Sequence, residues 1–178
     1  MMNLEIEICG VKVKPLNLDL EYDNYVGTCP AIIYSVNGKE FVEWVKVSEY
    51  GYTLERVDTY ESTNSRDEMK EASGLDWDDY DDFKDQLWDY LQETLDEEYA
   101  EKEANDPDMY ELRCERCEPW DVARVEFGSI EDKWIWGAST VEELERYYMR
   151  ELKDRFDYYC NCNFYIAEVG THKIIKHF

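Results

Sequence analysis

The chain has 178 residues, with 43 acidic against 19 basic side chains and a formal net charge of −24. That charge argues against direct nucleic-acid binding, which needs Lys and Arg to displace counterions from phosphates, and against anionic membrane surfaces. With 44% apolar and 15% aromatic residues and only 8 Gly and 4 Pro, the chain is no disordered acidic tail; its length suits one domain with a hydrophobic core.

Residues 1–64 read as β-structure. Leu4-Glu5-Ile6-Glu7-Ile8 alternates apolar and polar residues with period two, and Gly10 to Lys14 continues the alternation until Pro15. Ala31–Val36 and Lys39–Val47 are β-rich runs joined by Asn37-Gly38, a pair suited to a type I′ turn because both central residues need positive φ. A short strand is expected within Tyr52–Tyr60, and Glu61–Ser73 is polar and reads as a connection. Cys9 and Cys29 are singletons and read as core residues.

A long helix is expected from about Asp76 to Ala104, capped by Ser73 or Asp76 and stopped by Asn105-Asp106-Pro107. Tyr80, Phe83, Leu87, Leu91 and Leu95 recur at three- and four-residue steps and form one apolar face. Asp78, Asp82, Asp85, Asp89, Glu93 and Asp96 recur in the same way and form an acidic stripe. Like charges at these spacings cost a helix a few tenths of a kcal/mol per pair, and only Lys84 and Lys102 offer local relief. Residues 65–110 carry a net −14, against −6 for residues 1–64 and −4 for residues 111–178. The charge is thus concentrated on one helix. The stripe reads either as a solvated face or as a row of charges that competes for the basic groove of a nucleic-acid-binding protein. In the second case Trp77, Tyr80, Trp88, Tyr90 and Tyr99 stand in for bases or anchor the interface.

Residues 111–178 mix both element types. Met109–Cys114, Val122–Phe127 and Lys133–Trp136 read as strands. Ser139/Glu142 and Thr140/Glu143 both fit a capping box for a helix over about 140–159, with Leu144, Tyr148, Leu152 and Phe156 on one face. Asn163–Val169 and Lys173–Phe178 read as closing strands. The expected class is α+β: antiparallel sheets with two main helices in a single compact domain, with sub-lobes over residues 1–64, 65–110 and 111–178.

No basic or apolar leader opens the sequence, and no run approaches the ~18 apolar residues of a membrane span. The expected location is cytoplasmic, where thiols stay reduced. Four of the six cysteines form two tight pairs, Cys114-Glu115-Arg116-Cys117 and Cys160-Asn161-Cys162. Four thiolates make a closed tetrahedral set for one structural zinc, with Arg113 and Arg116 placed to offset its negative charge. Idle or disulfide-forming thiols and a redox pair at Cys114/Cys117 are the other readings, and His172 or His177 is a lesser substitute ligand. No nucleophile elbow, P-loop, dinucleotide fingerprint or zincin motif is present, so no enzyme is expected.

In kind, the acidity and the Asp78–Asp96 stripe resemble those of phage-encoded inhibitors of bacterial defence, the anti-CRISPR and anti-restriction proteins. The resemblance implies a DNA mimic in the host cytosol. Its partner would be a basic nucleic-acid-processing protein such as an RNA-guided CRISPR effector nuclease, blocked at the nucleic-acid groove. An immunity protein for a basic toxin nuclease, or a zinc-stabilised structural module, remains open beside it.

Overall fold

The computed structural model describes residues 2, 4–24, 27–55, 66–114, 133–153 and 163–178. It is α+β with antiparallel sheets, as expected, and the chain divides into two units, residues 1–101 and 102–178, each closed around its own core.

In the first unit, β1 (Ile6–Ile8), β2 (Val11–Asn24), β3 (Gly27–Val36), β4 (Lys39–Ser48) and β5 (Gly51–Leu54) pair in strict chain order. Asn37 and Gly38 take φ values of +47° and +84°, the pair of left-handed conformations that a two-residue turn requires. Cys9 and Gly10 repeat that geometry at +49° and +78° between β1 and β2. Cys9 is therefore an exposed turn residue, a correction to the expected core position; Cys29 is half-buried. Strand β2 does not stop at Pro15. The ladder to β3 shifts register between Pro15 and Asn17, and this irregularity absorbs the donor that proline lacks.

The stretch expected as a connection ends in a helix, α1 (Arg66–Ser73). It buries Met69 and Ser73 on one side, but its eight residues are only about two turns, too short for a repeat to stand out from the sequence. Tertiary contacts hold it in place. The Asn37 side chain donates to the carbonyls of Ala72 (3.0 Å) and Ser73 (3.3 Å), two of the groups a helix end leaves unpaired, and accepts from the Lys12 amide at 3.1 Å. One turn residue thus joins the tip of β3–β4 to β2 and to α1.

Helix α2 (Trp77–Asn105) buries Tyr80, Phe83, Leu87, Leu91 and Leu95, the apolar face its periodicity predicts. These side chains share one cluster with Val11, Val13, Ile32, Tyr34, Val36, Phe41 and Val45 of the sheet, so the acidic segment is not a lobe of its own. The helix reaches both margins of the sheet. The Tyr90 hydroxyl donates to the Leu4 carbonyl beside β1 (3.0 Å), and Gln92 bonds β5. The five strands therefore curl about α2.

Three tyrosines of this unit are held above the ordinary tyrosine value of 10.0, chiefly by burial. At Tyr34, which donates its hydroxyl to Glu43 at 3.0 Å, that carboxylate adds to the effect. Folding therefore favours the neutral phenols. The stabilisation is complete below the unfolded value of 10.0 and is lost as pH rises toward and through the higher folded values. Unfolding on alkaline titration is expected above pH ~10, with phenolate absorbance and loss of circular dichroism rising together. Phenolate forming well before structure is lost would contradict this.

In the second unit, β6 (Tyr110–Cys114), β7 (Lys133–Ala138), β8 (Phe164–Glu168) and β9 (Ile174–His177) form a sheet in the order β7-β6-β8-β9. Helix α3 (Val141–Tyr147) continues into a π-helical turn, Tyr148–Leu152, closed by the Lys153 amide on the Tyr148 carbonyl. Of the two capping boxes in the sequence, the structure selects Thr140/Glu143. The Glu143 amide donates to Thr140 Oγ1 (3.3 Å), and the Thr140 amide donates to the Glu143 carboxylate (3.2 Å). Leu144 and Leu152 pack with Leu112 and Ile166, and Tyr147 stacks on Trp136 with centroids 4.8 Å apart. The expected strand Val122–Phe127 and the helix end beyond Lys153, with Phe156, lie outside the described residues.

The other face of β6 is charged. Glu111 is 4% exposed, accepts from the Arg113 guanidinium at 2.8 Å, and lies 3.0 Å from Nδ1 of His172. Residues 111 and 113 share a face because strand side chains alternate.

Candidate interaction surface on the acidic helix

Asp76 starts α2. Its Oδ1 accepts from the amides of Asp78 (3.1 Å) and Asp79 (3.0 Å), which resolves the choice of cap. Ser73 instead serves the preceding turn, donating to the Lys70 carbonyl (2.6 Å) and accepting from the Leu75 amide (3.3 Å). From this fixed start the helix phase places Asp78, Asp82, Asp85, Asp89, Glu93 and Asp96 on the solvent side, and all six are exposed. At 1.5 Å per residue the row is about 27 Å long.

The nearby cations do not neutralise it. Arg66 (3.1 Å) and Lys84 (3.9 Å) both reach Asp81, which lies beside the row. Lys102 bonds Asp108 and Glu103. Among the described residues, no Lys or Arg lies within ion-pair distance of any of the six carboxylates. Asp96 alone of the six accepts a side-chain hydrogen bond, from Gln92 Nε2 at 2.8 Å. The arrangement offers a dense row of acceptors to a cationic surface.

The aromatics of α2 separate into two groups. Tyr80 is buried between Trp77 and Phe83, the Tyr90 hydroxyl is engaged on Leu4, and Tyr99 meets the ring of Tyr52 edge-on at 5.1 Å. These three pack inward and do not stand beside the stripe. Trp77 is 46% exposed, with the Arg66 guanidinium 4.9 Å and the Lys70 ammonium 5.3 Å from its ring centre. That makes Trp77 the one large exposed apolar residue of α2 among the described residues.

Of the four cysteines expected to bind zinc, Cys114 is buried at the end of β6, and Cys117, Cys160 and Cys162 lie outside the described residues. Among the described residues, no group of three His, Cys, Asp or Glu side chains could hold a metal ion. His172 is engaged with Glu111, and His177 lies against Tyr165.

Sequence reasoning missed Gln92 and Glu111. Neither carries a signal of its own: one is an amide in an acid-rich helix that also holds Gln86 and Asn105, the other a carboxylate two residues from an arginine in a short strand. Compared with protein-family models, curated proteins and solved structures, the chain matches none. No helix among the described residues is long and apolar enough to cross a membrane.

Proposed function

We propose that the protein is a non-enzymatic acidic inhibitor. It binds a basic nucleic-acid-processing protein, such as an RNA-guided CRISPR effector nuclease, and blocks its nucleic-acid groove. One observation carries this reading: six carboxylates stand in a single exposed row on α2 with no cation against them among the described residues. Such a row repels itself and steers a cationic partner, raising the rate of encounter more than the lifetime of the complex.

The test uses purified guide-free RNA-guided nucleases and toxin nucleases as probes. A stoichiometric complex is expected at about 50 mM salt that weakens steeply toward about 300 mM. Reversing Asp82, Asp85 and Asp89 together to Lys should weaken it by roughly 100-fold, mostly through slower association. No complex with any probe at low salt rejects the reading. A toxin nuclease as the sole target makes the protein an immunity protein.

We also propose one structural zinc, held by Cys114, Cys117, Cys160 and Cys162. The pairing of Cys114 with Phe164, two positions after Cys162, supports this, because it joins the two cysteine-bearing segments in one ladder. Zinc held there would stabilise the second unit and leave no open position for chemistry. Elemental analysis of protein purified without added metal should find about one zinc per chain. Metal-free protein of unchanged stability would refute it.

A further inference from the structure

Edge strands are templates for pairing with another chain, and proteins blunt them with charges, bulges or a covering element. In the first unit β1 is an edge with Glu5 and Glu7 in and beside it, and in the second unit β9 is an edge with Lys173 and Lys176 and an irregular register. Among the described residues, the remaining edge of the first unit is β5, which reads Gly51-Tyr52-Thr53-Leu54. It has no charge, no proline and no register shift.

Its guard comes from the helix. The amide of Glu55 bonds the carbonyl of Trp44 on β4, so by alternation Tyr52 and Leu54 turn their backbone groups away from β4. One outward group of each residue meets the same side chain. Gln92 Oε1 accepts from the Leu54 amide at 3.0 Å, and Gln92 Nε2 donates to the Tyr52 carbonyl at 2.9 Å. The second amide proton of Gln92 goes to Asp96 at 2.8 Å, which holds the side chain in place. A primary amide here does what the next strand of a sheet would do.

We propose that Gln92 is an edge guard that keeps β5 from pairing with β5 of a second copy of this chain. The occupant follows from charge. Two antiparallel copies of β1 would place Glu7 against Glu7, and β9 carries Lys176 with Lys173 just before it. Two antiparallel copies of β5 bring no like charges face to face. The net charge of −24 opposes any approach of two copies, so the pairing emerges where salt screens it.

The test is sedimentation velocity of the full chain and of Gln92→Ala at about 0.5 M salt, where the Debye length is only a few ångströms. Gln92→Ala is expected to associate at least about tenfold more strongly than the parent chain, consistent with loss of a two-point edge cover. Adding Thr53→Lys, which places a charge at an exposed position of β5, should return the variant to parental behaviour. Hydrogen exchange at the Leu54 amide should accelerate in dilute Gln92→Ala and slow again as it associates. If Gln92→Ala fails to fold, Gln92→Asn takes its place, since it keeps the amide but withdraws it by one methylene. Faster Leu54 exchange with unchanged sedimentation at every concentration overturns the proposal. So does association that Thr53→Lys does not reverse.

Discussion

Phe83→Ala is expected to lower the stability of the first unit by about 3–5 kcal/mol. Phe83 is fully buried on the α2 face, in one cluster with Tyr80 and Leu87 of the helix and the inward side chains of the sheet. Removing its ring deletes the transfer free energy of a large apolar group and leaves a cavity that packed neighbours fill only in part. The loss should appear as a lower urea midpoint with an unchanged slope. A loss below about 1 kcal/mol would mean that α2 is not held by this face. The same variant bears on the stripe: six like charges in a row are tolerable only while the opposite side is anchored, because the repulsion itself favours fraying.

Glu111→Ala should cost a similar amount, about 3–5 kcal/mol, in the second unit. Here the mechanism is electrostatic. Glu111 is buried and faces the Arg113 guanidinium at 2.8 Å, whose side chain is itself largely buried, and the His172 ring at 3.0 Å. Removing the carboxylate takes one negative partner from a guanidinium in a poorly solvated place and from the His172 ring. Replacing both members, Glu111→Leu with Arg113→Met, should cost much less than Glu111→Ala alone, because an apolar pair of similar size avoids desolvating charge altogether. If the double variant is the less stable of the two, the charged pair contributes net stabilisation of its own. Denaturant melts of both variants separate the two cases.

Much of the first unit was readable before its structure. The Asn37-Gly38 turn, the two strands it joins and the apolar face of α2 follow from signals with a direct physical cause: positive φ at a turn and a 3.6-residue repeat against a sheet. The acidic stripe was readable for the same reason, since whatever lies opposite a buried face must face water. Helix α1 was not readable, because a single apolar residue buried in about two turns gives no repeat to count. Pro15 misled because a register shift lets proline sit inside a strand. Cys9 misled because a small thiol reads as core, whereas the two-residue turn between β1 and β2 decides its place. Gln92 and Glu111 were illegible for a shared reason: each acts through neighbours from distant elements, at Tyr52 and Leu54 in one case and at His172 in the other.

The strict chain order of the first sheet has a consequence for how the protein is made. Each strand pairs with the one synthesised just before it, so every ladder can close as soon as its second strand leaves the ribosome, across short loops of low entropic cost. Nothing in β1 to β5 waits for a partner encoded far downstream. What must wait is the filling: the sheet's apolar side has no cover until α2 has been translated, and the helix that carries the most charge is also the one that ends the exposure of the nascent core.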